Sequence, residues 1–165
     1  PTYRKPAVPI VMDSEYILDH LQSEAEHWYF LSRYHRYQGK DSKIKVTGKD
    51  VIQVEDYPDM QELLCAADIL ITDYSSCVWD YAFLKRPCFL YVPDIEEYVA
   101  KTGFYVSIEE WPFPKSKSEQ ELYDSIEKFD HKPYDNALNN HLMSLGSYEN
   151  GHSREEVSQK IIEHM

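Results

Sequence analysis

The segment ILITDYSSCVWDY, residues 69–81, constrains the fold more than any other part of the sequence. Its first four residues, Ile69 to Thr72, form an unbroken β-branched and aliphatic run, which predicts a buried strand of a parallel sheet. Ser75 and Ser76 are good N-cap residues for a helix that would follow at once. The apolar side chains after them recur at helical spacing and predict one buried face: Val78, Trp79, Ala82 and Phe83. The segment therefore predicts a strand, a tight turn and a helix.

Such a turn is a candidate binding site. In an open α/β sheet, ligands bind at the carboxyl ends of the strands, where N–H groups and the positive end of a helix dipole face a crevice. The hydroxyls of Ser75 and Ser76 would lie beside those N–H groups, so the turn is suited to a phosphate. The alternative is that the two serines only cap the helix.

The rest of the chain alternates between strand and helix patterns. Strands are expected at 28–35, 51–54 and 87–92, and helices at 12–26, 59–67, 94–98, 118–129, 135–145 and 153–162. Two capping boxes, Ser118 with Glu121 and Ser153 with Glu156, support the last helices, and the proline-rich stretch 111–117 is expected to be a loop. This alternation predicts one α/β domain over residues 1–165, a Rossmann-like parallel sheet with helices on both faces.

Composition excludes several classes of function. A net charge of −12 argues against nucleic-acid binding and against adhesion to anionic lipid, and no apolar run has membrane-spanning length. With five glycines and no G-x-G-x-x-G or G-x-x-x-x-G-K-[ST] motif, a glycine-rich phosphate loop is absent, and a flavin- or NAD-binding sheet is disfavoured. We interpret Cys65, Cys77 and Cys88 as reduced core residues of a cytoplasmic protein.

Polar side chains are expected to converge at three strand ends. These candidates are Arg4, Arg33, His35, Asp73, Ser75 and Ser76. An arginine offers a forked donor that matches phosphate oxygens, and a histidine can donate to a leaving oxygen. Asp73 and Asp80 could accept hydrogen bonds from sugar hydroxyls or hold a partner arginine. No metal-ligand spacing is present, so neither a metal nor another cofactor is expected.

The run LLCAADILITDYSSCVWDYAFLKRPCFLYVPDIEEY, followed by GFY, resembles the CDP-glycerol glycerophosphotransferase family, whose members prime and extend wall teichoic acids. Four further segments resemble stretches of the same family: PTYR, LSRYH, VEDYPDMQELL and YENGHSREEVSQKII. The resemblance thus covers nearly the whole chain. It implies a GT-B architecture of two Rossmann-like domains, with this chain as most of the C-terminal, donor-binding domain of a larger enzyme.

The resemblance also implies an activity and roles for residues. The family transfers glycerol phosphate from CDP-glycerol to an acceptor hydroxyl, releases CMP and uses no bound catalytic metal. By matching motif, Arg4, His35, Ser75 and Ser76 would contact the donor diphosphate, with His35 as the catalytic residue that assists the leaving group. Asp80 would lie near polar groups of the donor. The lipid-linked acceptor polymer would bind the missing N-terminal domain, and the parent enzyme would be peripheral on the inner face of the cell membrane.

The sequence departs from the family pattern and leaves alternatives open. Pro112-Phe113-Pro114 stands where the family has P-G-P, so the nearby loop is expected to differ in shape. The acceptor half and its candidate general-base histidine are missing, so we expect this chain alone to bind a cytidine nucleotide weakly and to catalyse nothing. The alternatives are an enzyme for another CDP-alcohol such as CDP-ribitol, since the signature recognises the nucleotide diphosphate, and a non-catalytic scaffold domain.

Overall fold

The computed structural model describes residues 10–21, 27–35 and 44–165. Seven strands are present in this part of the chain: β1 (Ile10–Asp13), β2 (Phe30–Ser32), β3 (Ile44–Thr47), β4 (Val51–Gln53), β5 (Leu70–Thr72), β6 (Cys88–Tyr91) and β7 (Lys115–Ser116). The α-helices described there are α1 (Ser14–His20), α2 (Met60–Ala66), α3 (Cys77–Ala82), α4 (Ile95–Lys101), α5 (Glu119–Glu127), α6 (His131–Ser144) and α7 (Ser153–Glu163). A 3₁₀ helix spans Ile108–Glu110.

Every described strand pair is parallel. β5, β6 and β7 form a three-stranded sheet with β6 in the centre, and β1 pairs with β3 and β2 with β4 in two further pairs. Helices connect consecutive strands of the larger sheet, α3 between β5 and β6 and α4 between β6 and β7. The predicted class, a parallel α/β fold, is confirmed.

Strand β6 shows that helices cover both faces of the sheet. Its side chains alternate: Cys88 and Leu90 join one buried cluster and Phe89 joins another, as the two-residue period of a strand requires. α3 and α6 contribute to the first cluster and α1 and α5 to the second. The predicted placement of helices on both faces is therefore confirmed.

The buried face of α3 differs from the predicted one. Val78 and Ala82 are fully buried as predicted, but Phe83 follows the helix and is 50% exposed. Tyr81, in place of Phe83, belongs to the buried face of α3. It is fully buried, and its hydroxyl donates to the carbonyl oxygen of Ala67 at 3.1 Å. The bond satisfies the polar end of a buried tyrosine, which periodicity alone does not reveal.

The prediction that residues 111–117 are all loop is wrong. Lys115 and Ser116 form β7, and the N–H groups of Leu90 and Val92 donate to the carbonyl oxygens of Pro114 and Ser116, both at 2.8 Å. Proline lacks an N–H but keeps its carbonyl acceptor. Pro114 can therefore stand directly before β7, because β7 is an edge strand of its sheet and pairs on one side.

Two further strands were not predicted, and α1 begins later than expected. Residues 10–13 form β1, and residues 44–47 form β3. Met12 therefore lies in a strand, and α1 begins at Ser14, with the Asp13 carboxylate accepting from the N–H of Glu15 at 3.0 Å. The end predicted for this helix, 22–26, lies outside the described residues.

Of the two predicted capping boxes, only the first places its serine at the cap. Ser118 precedes α5 and accepts from the N–H of Glu121 at 3.2 Å. Ser153 is instead the first residue of α7, and its hydroxyl donates to the Glu149 carboxylate at 2.9 Å.

Exposure of the cysteines corrects one expectation. Cys77 and Cys88 are buried, whereas Cys65 is exposed and is not a core residue. Within the described ranges, none of the helices is long and apolar enough to cross a membrane.

Candidate functional site

The candidate site is built on the turn between β5 and α3, residues 73–76. Asp73 follows the strand directly and is buried, with 3% of its surface exposed. Its carboxylate accepts from the backbone N–H of Ser75 at 3.1 Å, the two-residue reach of an Asx turn. A carboxylate predicted to contact the donor thus also shapes the turn that carries the serines.

The two serines do not act as side-chain caps. Ser76 occupies the N-cap position of α3 with helical backbone angles (φ −60°, ψ −15°), and its side chain makes no capping hydrogen bond. The carbonyls of Ser75 and Ser76 accept from the N–H groups of Val78 and Trp79, at 3.2 and 3.0 Å, which closes the first turn. Within residues 10–21, 27–35 and 44–165, neither serine hydroxyl has a hydrogen-bond partner. The alternative that these serines serve only as caps is therefore not supported.

Accessibility differs along the turn. Ser75 is half-buried, Ser76 is exposed, and Asp80, in the first turn of α3, is also exposed. A short helix with hydroxyls at its start can offer several donors to an anion.

Arg33 and His35 lie beyond β2, because the strand ends at Ser32 and is shorter than the predicted strand 28–35. Arg33 is half-buried, and its Nη1 donates to the carbonyl oxygens of Val54 at 3.1 Å and Tyr57 at 2.7 Å. Both acceptors lie in the connection from β4 to α2, so this guanidinium holds that loop. His35 is half-buried three residues beyond the strand. Arg4 lies outside the described residues.

Some of these positions border one cavity. A cavity of ≈ 480 Å³ lies among β2, β4, α2 and β5, and its lining includes Arg33 and Asp73. The carboxyl ends of β2 and β5 thus reach the same space, as the topology predicted. Most of the lining is apolar, with side chains such as Leu31, Ile52 and Ile71.

Arg86, in the signature run, and Phe113, in the segment 112–114, have structural roles that sequence reasoning missed. The Nη1 of Arg86 donates to the carbonyl oxygens of Cys65 at 2.8 Å and Ala67 at 2.6 Å, at the carboxyl end of α2. Phe113, which stands at the glycine position of the family's P-G-P segment, is 1% exposed and its ring lies 5.3 Å from that of Trp79. The departure at this position therefore fills the core.

Metal-ligating side chains are not clustered in the described part of the chain. No three His, Cys, Asp or Glu side chains lie close enough together there to hold a metal ion.

Comparison with known proteins identifies related sequences. The family described as CDP-Glycerol:Poly(glycerophosphate) glycerophosphotransferase matches residues 1–163. A teichoic acid ribitol-phosphate primase of Bacillus spizizenii is 34% identical over 112 residues, which are 67% of this chain and 28% of the primase. A teichoic acid poly(glycerol phosphate) polymerase of the same organism is 30% identical over 155 residues, 93% of this chain and 39% of the polymerase.

Solved structures agree with the fold. A variant of the wall teichoic acid polymerase TagF, soaked with CDPG, matches with a TM-score of 0.64 at 26% identity, over 97% of this chain and 42% of that chain. A second TagF structure matches with a TM-score of 0.70 at 23% identity, over 99% of this chain and 44% of that chain. This chain therefore spans less than half the length of the relatives it matches.

Proposed function

Because the chain belongs to the CDP-Glycerol:Poly(glycerophosphate) glycerophosphotransferase family, we propose that it forms the donor-binding part of a transferase. The enzyme moves glycerol phosphate from CDP-glycerol to an acceptor hydroxyl and releases CMP. In this reaction the acceptor oxygen forms a bond to the phosphorus that carries glycerol, and the bond from that phosphorus to the CMP oxygen breaks. The product is the extended polymer of a teichoic-acid-like pathway.

The observation that carries the proposal is the pair of hydroxyls after β5 that have no hydrogen-bond partner among the described residues. Ser75 and Ser76 follow β5 and precede α3, and within the same ranges neither side chain caps that helix. Phosphoryl transfer requires charge neutralisation and positioning more than covalent chemistry from the protein. The hydroxyls of Ser75 and Ser76, carried on the turn that Asp73 shapes, supply donors for diphosphate oxygens without a large rearrangement.

Cationic side chains complete the proposed site. We assign His35 to the oxygen that leaves with CMP, where an imidazolium neutralises the developing charge or gives up its proton. Arg4 is assigned to the diphosphate because an arginine fork matches two phosphate oxygens. Arg33, Asp73 and Asp80 are proposed to contact the remaining polar groups of the donor, and no metal ion or other cofactor is assigned.

The rest of the enzyme is proposed from the relatives. The acceptor, a lipid-linked polymer, would bind to a part of the polypeptide outside this chain, in a two-domain GT-B arrangement. The complete enzyme would then work at the inner face of the cell membrane. A donor carrying ribitol is the second candidate, since a ribitol-phosphate primase is among the relatives.

Calorimetric titration of this chain tests the proposal. CDP-glycerol, CDP-ribitol, CMP and NAD are compared, and Ser76→Ala and His35→Ala are each expected to raise the Kd of the preferred CDP-alcohol about tenfold. The matched control is Ser118→Ala, which removes a serine that does cap its helix. It should lower the free energy of unfolding by about 1 kcal/mol without changing the Kd.

The outcomes separate the candidates. Tighter binding of CDP-ribitol than of CDP-glycerol would move the assignment to the second donor. If neither this chain nor a longer polypeptide that contains it bound a cytidine nucleotide, the donor-binding role would be wrong and a scaffold role would replace it.

A further inference from the structure

Tyr74 lies within the turn that carries the two serines, yet its side chain points away from solvent. The residue is 6% exposed, and its hydroxyl donates to the Asp94 carboxylate at 2.9 Å. Asp94 lies 20 residues further along the chain, directly before α4. The bond therefore joins the start of one helix to the turn before another.

The Asp94 side chain is hydrogen-bonded to Tyr74 and does not cap its own helix. Aspartate at an N-cap commonly accepts from the N–H groups of the first helical turn. The Asp94 side chain makes no such capping bond to α4. Its carboxylate accepts from the Tyr74 hydroxyl, and a bond to a charged acceptor is stronger than one to a neutral acceptor.

Aromatic packing also holds the Tyr74 ring against α4 and the segment that follows α4. Its centroid lies 3.9 Å from that of Tyr98 with the two planes 19° apart, and 5.6 Å from that of Phe104. Phe104 follows Gly103, whose positive φ of 72° ends α4 in a conformation that favours glycine. The Gly-Phe-Tyr segment of the signature thus packs Phe104 against the tyrosine of the Asp-Tyr-Ser-Ser segment.

The turn is therefore held at two successive residues. Asp73 fixes the N–H of Ser75 from within the turn, and Tyr74 fixes the turn relative to α4. The peptide unit between Tyr74 and Ser75 holds their Cα atoms about 3.8 Å apart. A shift of the Tyr74 backbone therefore also displaces Ser75. A displacement of about 1 Å is enough to disrupt a contact to a reacting group.

We infer that Tyr74 is a positioning residue, which uses the Asp94 carboxylate and the Tyr98 ring to place Ser75 and Ser76 for the donor diphosphate. This inference rests on the proposed function. Tyr74 itself does not touch the donor. Its hydroxyl acts through the backbone of the turn, while its ring supplies the packing that keeps the hydroxyl against Asp94.

The first test compares two tyrosine variants in the full chain. Tyr74→Phe keeps the stacked ring and removes the bond to Asp94. Tyr134→Phe is the matched control, because Tyr134 is 5% exposed in the same buried cluster and its hydroxyl donates to the Arg86 carbonyl at 3.0 Å, away from the serines. Both variants should lower Tm by similar amounts. Tyr74→Phe alone should raise the Kd for the preferred CDP-alcohol, by about tenfold.

Replacing Asp94 provides a rescue experiment. Asp94→Asn keeps a carbonyl oxygen that accepts from Tyr74, so its Kd should stay within about twofold of wild type, whereas Asp94→Ala should match Tyr74→Phe. Combining Tyr74→Phe with Asp94→Ala should add little to either change, because both remove the same bond.

Hydrogen exchange gives a readout that needs no donor. The hydrogen-bonded amides of the turn, those of Ser75, Val78 and Trp79, should exchange about tenfold faster in Tyr74→Phe than in Tyr134→Phe. Equal exchange in the two variants overturns the positioning role even if neither the wild-type chain nor a longer polypeptide that contains it binds a CDP-alcohol, an outcome that would contradict the proposed function separately. Wild-type affinity in Tyr74→Phe overturns the positioning role and leaves the proposed function intact.

Discussion

The Asp73 carboxylate accepts a hydrogen bond from the backbone N–H of Ser75, with 3.1 Å between Oδ1 and N. The bond spans two residues, and the carboxylate is 3% exposed. A buried carboxylate requires hydrogen-bond donors, and an N–H at the start of a helix requires an acceptor. Each group satisfies the other, so the turn after β5 has a defined shape before any ligand arrives.

Asp73→Ala tests how much this carboxylate contributes to the free energy of unfolding. We expect the free energy of unfolding to fall by about 1–3 kcal/mol, because the Ser75 N–H loses a buried acceptor. Asp73→Asn should lose less, because its amide oxygen still accepts. Urea denaturation of the three proteins provides the measurement. Equal destabilisation by the two variants would show that the charge matters and the bond to Ser75 does not.

Arg86 is expected to stabilise the fold without affecting donor affinity. Arg86→Ala leaves the carbonyl oxygens of Cys65 and Ala67 without the guanidinium at the end of α2, so the free energy of unfolding should fall by about 2 kcal/mol. Arg154→Ala is the control, since the Arg154 side chain is 90% exposed and pairs with its neighbour Glu155. It should change stability by less than about 0.5 kcal/mol. A loss of donor affinity in folded Arg86→Ala would contradict a purely structural role.

The three thiols should react at different rates. Cys65 is exposed and should be modified first by a thiol reagent in the folded chain. Cys77 and Cys88 are buried, and burial raises the pKa of the Cys88 thiol well above its ordinary value, so both should react only on unfolding. Spectroscopic thiol titration measures this, and Cys65→Ser should abolish the fast phase. Fast labelling of Cys88 in the native chain would show that the β6 core opens readily.

Stability should decrease in alkaline solution, in part through Tyr123. Burial, followed by the nearby Glu119 and Asp13 carboxylates, raises the pKa of Tyr123 from 10.0 to about 12. Because the pKa of Tyr123 is higher in the folded chain, the contribution of its neutral hydroxyl to the free energy of unfolding is complete below pH 10.0. That contribution is lost as pH rises through about 12. The free energy of unfolding of Tyr123→Phe should therefore fall less steeply than that of wild type between those values. Parallel slopes in denaturation measured across this pH range would contradict the assignment to Tyr123.

Much of the architecture could be predicted because its signals are local. The apolar run at residues 69–72 and the alternation of periodic segments predicted a parallel α/β fold, and β5, β6 and α2 lie within one or two residues of their predicted positions. β7 was missed because a strand of two residues has no periodicity of its own. It forms because its carbonyl groups meet the N–H groups of Leu90 and Val92.

The structure brings two of the predicted site residues to one cavity, and the contacts that they make were not predictable. Strand ends and polar residue types placed Arg33 and Asp73 at one crevice, and both line the cavity between β2 and β5. The sequence contains no signal that Arg33 donates to Val54 and Tyr57, because those acceptors are backbone carbonyls about 20 residues away. The donor contacts of all the predicted site residues stay predictions.

The sequence by itself determined that a strand, a tight turn and a helix follow one another at residues 69–82, since β-propensity, turn residues and helical spacing act between near neighbours. Only the tertiary structure decided which partners the polar groups find. Tyr74 is bonded to Asp94, Arg86 to the end of α2, and Cys65 is left in solvent, because each outcome depends on which distant segment packs beside it. Burial makes a hydrogen-bond partner necessary, and the fold determines which partner is within reach.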